Sequence, residues 1–259
     1  MKIVVSALHF TWNTIEECFD RVQNEFGLDG VELSWASSFQ RNHCTKDDLE
    51  ELRRLGPTSG LALSAHIWEN LAQLDAEEGA QALLGWLQLC GETGVRGLVV
   101  HGGSSLDRDG GITHARDVFA RALPQYEAAG VTLFLENHYA FDYRDCHELF
   151  SEPWEFRRVF DLGSPALGFC FDTGHGHMTR NWSDLVGELH SQLGYVHLAD
   201  NHGEHDDHCM YGEGTVPWDA MLSKIHELGF DGEFCVEFPV RDDQAPFRAC
   251  VAELRKRFG

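Results

Sequence analysis

The 259-residue chain is poor in positive charge: 20 Lys and Arg stand against 42 Asp and Glu, a formal net charge of -22. Such a surface repels nucleic-acid phosphates and anionic membranes unless a basic groove or a bound metal overrides it. Arg41, Arg108, Arg144 and Arg180 are scattered among acids, so no basic track follows a phosphate backbone. Long hydrophobic runs are missing too, and none approaches a membrane span. The opening MKIVVSALHFTWNTIEECF has too short an apolar stretch for a signal peptide and leads into acidic residues. The eight cysteines form no CxxC pair, which argues against a zinc ribbon or a thioredoxin-like site. Cys170 and Cys235 fall in strand-like runs, where a free thiol behaves as a small buried hydrophobe. A reducing cytoplasm is the simplest setting. Neither GxGxxG nor GxxxxGK occurs, so an open doubly wound sheet with a phosphate turn is disfavoured.

Eight short apolar runs are present instead. They read IVVSALHF (3–10), GVELSW (30–35), ALSAHI (62–67), GLVVHGG (97–103), VTLFLENH (131–138), LGFCFDTGH (167–175), YVHLADN (195–201) and EFCVEFP (233–239). Runs without polar alternation suit strands covered on both faces, as in parallel sheets. Between them lie segments with apolar residues at three- and four-residue steps, such as residues 14–26, 75–94, 112–130 and 218–229. Glycines 30, 97, 130, 194 and 232 stand where helices stop and strands start. Eight βα units in one α/β domain, residues 1–259, predict a (β/α)8 TIM barrel.

A barrel places its active site at the carboxyl ends of its strands. Residues able to bind metal or move protons collect there: His66, His101, Glu136, Asp172 with His175, His197 followed by Asp200, and Glu237. The loop NHGEHDDHCMYGEG adds Asp206 and His208, whereas His177 reads as a loop histidine. One strand histidine is usually a hydrogen-bonded core residue, but a buried glutamate left unpaired is expensive. Glu136 and Glu237 each follow three consecutive apolar residues, so each needs a cation or strong donors. Six strand ends converging on His, Glu and Asp predict a metal site at the barrel mouth. Trp12, Trp35 and Trp68 follow the first three strands, where flat rings would stack on a sugar; barrel packing is the alternative for each.

The motifs LEN (135–137), FDTGH (171–175), VHLADN (196–201), GEG (212–214) and VEF (236–238) resemble those of the xylose isomerase-like TIM-barrel superfamily. The resemblance covers essentially the whole chain. In ketose epimerases of that superfamily one divalent metal is held by residues matching Glu136, Asp172, His197 and Glu237. Endonuclease IV-like members hold three zinc ions, and the additional ligands match His66, His101, His175, Asp206 and His208. The resemblance therefore implies one to three divalent ions, with Mn, Zn, Co or Fe suited to mixed imidazole and carboxylate ligands.

Two reactions follow. An isomerase or epimerase acting on a small keto sugar or polyol would use Glu136 and Glu237 as acid/base groups on two faces of an enediolate, with the tryptophans and Asp200 contacting substrate. A multinuclear phosphoesterase, or a lyase on a small metabolite, is the alternative. Short, acid-rich strand-to-helix loops favour a small-molecule substrate over nucleic acid or membrane. Barrels of this kind often associate, so a homo-oligomer is left open.

Overall fold

The computed structural model describes residues 1–36, 44–140, 142–143 and 146–259, so Arg41 and Arg144 lie outside the described residues. Eight parallel strands form the centre: β1 (Lys2–Ser6), β2 (Gly30–Trp35), β3 (Ala62–Ile67), β4 (Gly97–His101), β5 (Thr132–Glu136), β6 (Leu167–Asp172), β7 (Leu193–Leu198) and β8 (Glu233–Val236). They close into a barrel in the order β1-β8-β7-β6-β5-β4-β3-β2, each beside its neighbours in sequence. Helices fall where the three- and four-residue steps predicted them, including Ala76–Thr93, Arg108–Ala129 and Trp218–Glu227. Gly130 ends one of them at φ 63°, a left-handed turn that costs other residues strain. Among the described residues no helix is long and apolar enough to cross a membrane.

Strand alternation decides what fills the barrel, because every second side chain points inward. Val4, Val99, Cys170, Tyr195 and Cys235 form an inner apolar cluster with Ala62 and Phe134 packed against it. Two residues further along, the inward positions of β4 to β8 become His101, Glu136, Asp172, His197 and Glu237, and Glu32 and His66 join them from β2 and β3. Register keeps them level, with His101 beside Glu136 and His197 beside Asp172. The lower end is closed by Phe134, whose ring occupies space left by glycines. A methyl group at Gly168 would sit 2.7 Å from that ring, and one at Gly194 equally close. Gly168→Ala is therefore expected to destabilise by roughly 1–3 kcal/mol through overpacking, read as a lower urea midpoint. An unchanged midpoint would show that the Phe134 ring moves aside freely.

The structure departs from expectation at the mouth. The run through residues 167–175 is not all strand, since Asp172 ends β6 and caps the helix Thr173–Thr179 by accepting from the His175 N–H at 2.6 Å. The connections after β5 and β7 are also longer than the short loops expected. Ser104–Ser105, Cys146–Glu148 and Asp142–Tyr143 pair as a small antiparallel sheet. Strands of two or three residues carry no periodicity, so the sequence pattern misses them.

Candidate active site

Glu136 sits at the centre of the upper layer and is buried, so its oxygens must find donors. One oxygen, Oε2, lies 3.0 Å from His66 Nε2 and 3.1 Å from His101 Nε2. The other, Oε1, lies 3.1 Å from His197 Nδ1. That same ring nitrogen is 3.0 Å from Glu237 Oε2, so His197 stands between the two glutamates. Glu136, Asp172, His197 and Glu237 each bring one donor atom within 4.8 Å of the others. Burial alone would raise the carboxyl pKa values, but the positive charge of His197 outweighs it and holds Glu136 and Glu237 low. Both are ionised at neutral pH.

Asp172 behaves differently. Its Oδ1 caps the helix, while Oδ2 is buried with no hydrogen-bond partner. Burial pushes its pKa up to about 7, opposed by His175 and reinforced by the charges of Glu136 and Glu237. A carboxylate oxygen aimed without a donor into a cluster of anionic and imidazole groups fits a divalent cation. Such an ion would be held by Glu136, Asp172, His197 and Glu237.

Asp206 and His208 join this site from the loop after β7. Asp206 Oδ2 is 3.4 Å from Nε2 of both His175 and His208. Each of those rings gives its other nitrogen to a backbone carbonyl: His175 Nδ1 to Asn137 O and His208 Nδ1 to Glu237 O, both at 2.8 Å. A carbonyl only accepts, so Nδ1 carries the proton and Nε2 presents its lone pair in the neutral ring. His208 holds this place at φ 45°, a left-handed conformation uncommon for a side chain of its kind. His66, His101, His175, Asp206 and His208 thus surround the four-residue cluster. His177 does not, since its Nε2 meets Thr215 Oγ1 at 3.0 Å.

The four groups expected at substrate divide. Trp68 is at the rim, 46% exposed, with its ring 4.8 Å from that of His66 and 6.0 Å from that of His101. It borders a recess of about 320 Å³ with Asn70, His101, His138 and Glu148. Trp35 is corrected: it is fully buried and stacks at 6.0 Å on Trp86 of the helix layer, because its strand position points outward from the barrel. Trp12 gives its indole N–H to Ala7 O and borders a separate groove of about 510 Å³ with Thr45 and Asp48, away from the cluster. Asp200 is corrected as well. Its carboxylate accepts from the N–H groups of Gly212, Gly214 and Val216 and from Trp218 Nε1, which leaves it a loop anchor.

Three residues at the site escaped the sequence reading. Glu32 is fully buried on β2 and reaches His197 Nε2 at 2.9 Å. His9 follows β1 and its ring lies 5.0 Å from that of His208. His138 stacks on His175 at 4.8 Å. Glu32 had a visible signal, an acid within the apolar run GVELSW.

The sequence model of the xylose isomerase-like TIM barrel family matches residues 20–256. The chain belongs to that family. Among curated relatives, an uncharacterized protein of Methanocaldococcus jannaschii is 35% identical over 82 residues, 30% of this chain and 28% of the relative. The match thus spans less than a third of that relative's length. Solved structures agree over nearly the whole chain. A D-tagatose 3-epimerase-like protein superposes with a TM-score of 0.82 at 21% identity, covering 99% of this chain and 97% of its own. The IOLI protein with a bound zinc atom gives 0.76 at 16% identity, covering 100% of both. At these identities the likeness is one of fold.

Proposed function

We propose that this family member is a metal-dependent isomerase or epimerase acting on a small keto sugar or polyol. The observation that carries the reading is the buried arrangement of two ionised glutamates on either side of one imidazole, with the unpartnered oxygen of Asp172 beside them. The likeness to a D-tagatose 3-epimerase-like protein and a 3-keto-D-glucoside 4-epimerase supports a sugar substrate. When bound, a divalent ion supplies Lewis acidity that stabilises negative charge on a substrate carbonyl oxygen.

The protein's own groups do the rest. Glu237, at 8% exposure against 1% for Glu136, is the more accessible carboxylate and removes the carbon-bound proton beside the carbonyl. Glu136 serves the opposite face, with His66, His101 and His197 holding its oxygens in place. Trp68 offers a flat face at the rim for the sugar's C–H groups.

The test is proton exchange. In deuterated water a responsive ketose should take up deuterium at carbon in the presence of metal-loaded protein. A second reading, multinuclear phosphoester hydrolysis, is favoured by one observation, the placement of Asp206 between the Nε2 atoms of His175 and His208. That reaction exchanges no carbon-bound proton and would cleave aryl phosphodiesters instead. Cleavage of those esters with no exchange across a panel of keto sugars would replace the first reading with the second.

A further inference from the structure

Glu32 belongs to none of the ligand sets above, yet it is as fully enclosed as Asp172. Both it and His197 are without exposure to solvent, and Glu32 Oε2 lies 2.9 Å from His197 Nε2. Its second oxygen, Oε1, has no hydrogen-bond partner. A lone buried carboxylate with one satisfied oxygen costs several kcal/mol in an apolar setting, and the surroundings here are Cys235 and the inner barrel cluster. Such a group persists where something charged leans on it.

The ring of His197 shows what that is. Its Nδ1 faces Glu136 Oε1 at 3.1 Å and Glu237 Oε2 at 3.0 Å, the very oxygens available to a cation. A neutral imidazole carries one N–H. If Nδ1 presents its lone pair to an ion, the proton must sit on Nε2, and the acceptor facing Nε2 is Glu32. A tilt of the ring about its Cβ–Cγ bond would carry Nδ1 away from the glutamates and break this bond at once.

We propose that Glu32 is the positioning residue of the cation site: it fixes the Nε2–H form of His197, locks the ring plane and adds negative charge behind the ligand. The inference rests on the cation reading above and assigns a function to a residue outside the implied ligand set. Outer carboxylates of this kind typically change metal affinity 10- to 100-fold.

The experiment compares wild type with Glu32→Ala, Glu32→Gln and Tyr195→Phe, using zinc and a competing chelator. Tyr195→Phe removes a buried 2.7 Å hydrogen bond with Ser64 one layer below and controls for loosening of the barrel. Glu32→Ala should weaken zinc binding about 10- to 100-fold. Glu32→Gln keeps an acceptor oxygen and should recover most of that loss, and Tyr195→Phe should bind as wild type does. In zinc-loaded wild type the His197 Nε2 proton should appear as a downfield, slowly exchanging imidazole resonance that Glu32→Ala abolishes. If the alanine variant does not fold, Glu32→Met, apolar and similar in length, takes its place. Equal zinc affinity in wild type and the alanine or methionine variant overturns the proposal. So does an equal loss in Tyr195→Phe, which would mean that any disturbance of the barrel core has the same effect. A wild type that takes up no zinc would sink the cation reading itself, and this one with it.

Discussion

Replacing Glu237 by Gln should lower deuterium wash-in into a responsive ketose by at least ~100-fold, the usual size of general-base loss. Glutamine keeps the shape and a carbonyl oxygen, so Glu136, Asp172, His197 and the amide oxygen remain to hold an ion. Metal content should therefore change far less than exchange. The neighbouring His208 keeps its hydrogen bond, because it donates to the backbone carbonyl of residue 237 rather than to the side chain. Removing the carboxylate charge also relieves His197 of one of the carboxylates that raise its pKa against the effect of burial, alongside Glu32 and Glu136. The measurement is the rate of deuterium incorporation by mass spectrometry, with metal content determined on the same sample. Exchange at the wild-type rate would remove Glu237 as the base. A parallel collapse of exchange and metal content would make it a ligand first.

The barrel and most of its mouth were legible in the sequence because both rest on simple periodicities. Apolar runs covered on two faces gave the strands, and a chemically capable residue at the end of six runs gave the layer of acids and histidines at the mouth. What failed has physical reasons. Trp35 and Glu32 lie on one strand three residues apart, so period-two alternation puts them on opposite faces. The sequence reading took the tryptophan for the pocket, whereas the structure turns the glutamate inward and the tryptophan towards Trp86. Asp200 misled because an acid after a strand looks free until its donors are known. Here these come from residues 12 to 18 positions downstream, a loop closure that no local pattern encodes. The small antiparallel sheet and His138 were lost for a similar reason: loop contacts depend on three-dimensional closure rather than on spacing.

A pH effect on the stability of the metal-free protein should come from Asp172. Unfolded, its carboxyl titrates near the ordinary aspartate value of about 3.9. Folded, burial pushes it up to about 7 in spite of His175. Between those values the folded state keeps a proton that the unfolded chain has lost. Stability therefore falls as pH rises from about 4 to about 7, and the whole cost is present above that window. At about 1.4 kcal/mol per unit, the cost amounts to a few kcal/mol. Other groups titrate as well, including His208, which Asp206 and Glu237 raise to about 10 against the effect of burial. A difference measurement removes them. Asp172→Asn cannot ionise, and an asparagine still caps the helix Thr173–Thr179 through its side-chain oxygen. In chelator, urea unfolding of wild type should lose ground to Asp172→Asn steadily from pH 4 to 7 and then run parallel. Adding zinc or manganese should cancel the drift for wild type, since an ion replaces the missing partner of Oδ2 and binds only the folded site. A difference that stays flat across pH 4 to 7 in chelator would show that the Asp172 carboxylate is already compensated by protein groups. The buried, partnerless oxygen would then no longer argue for a cation.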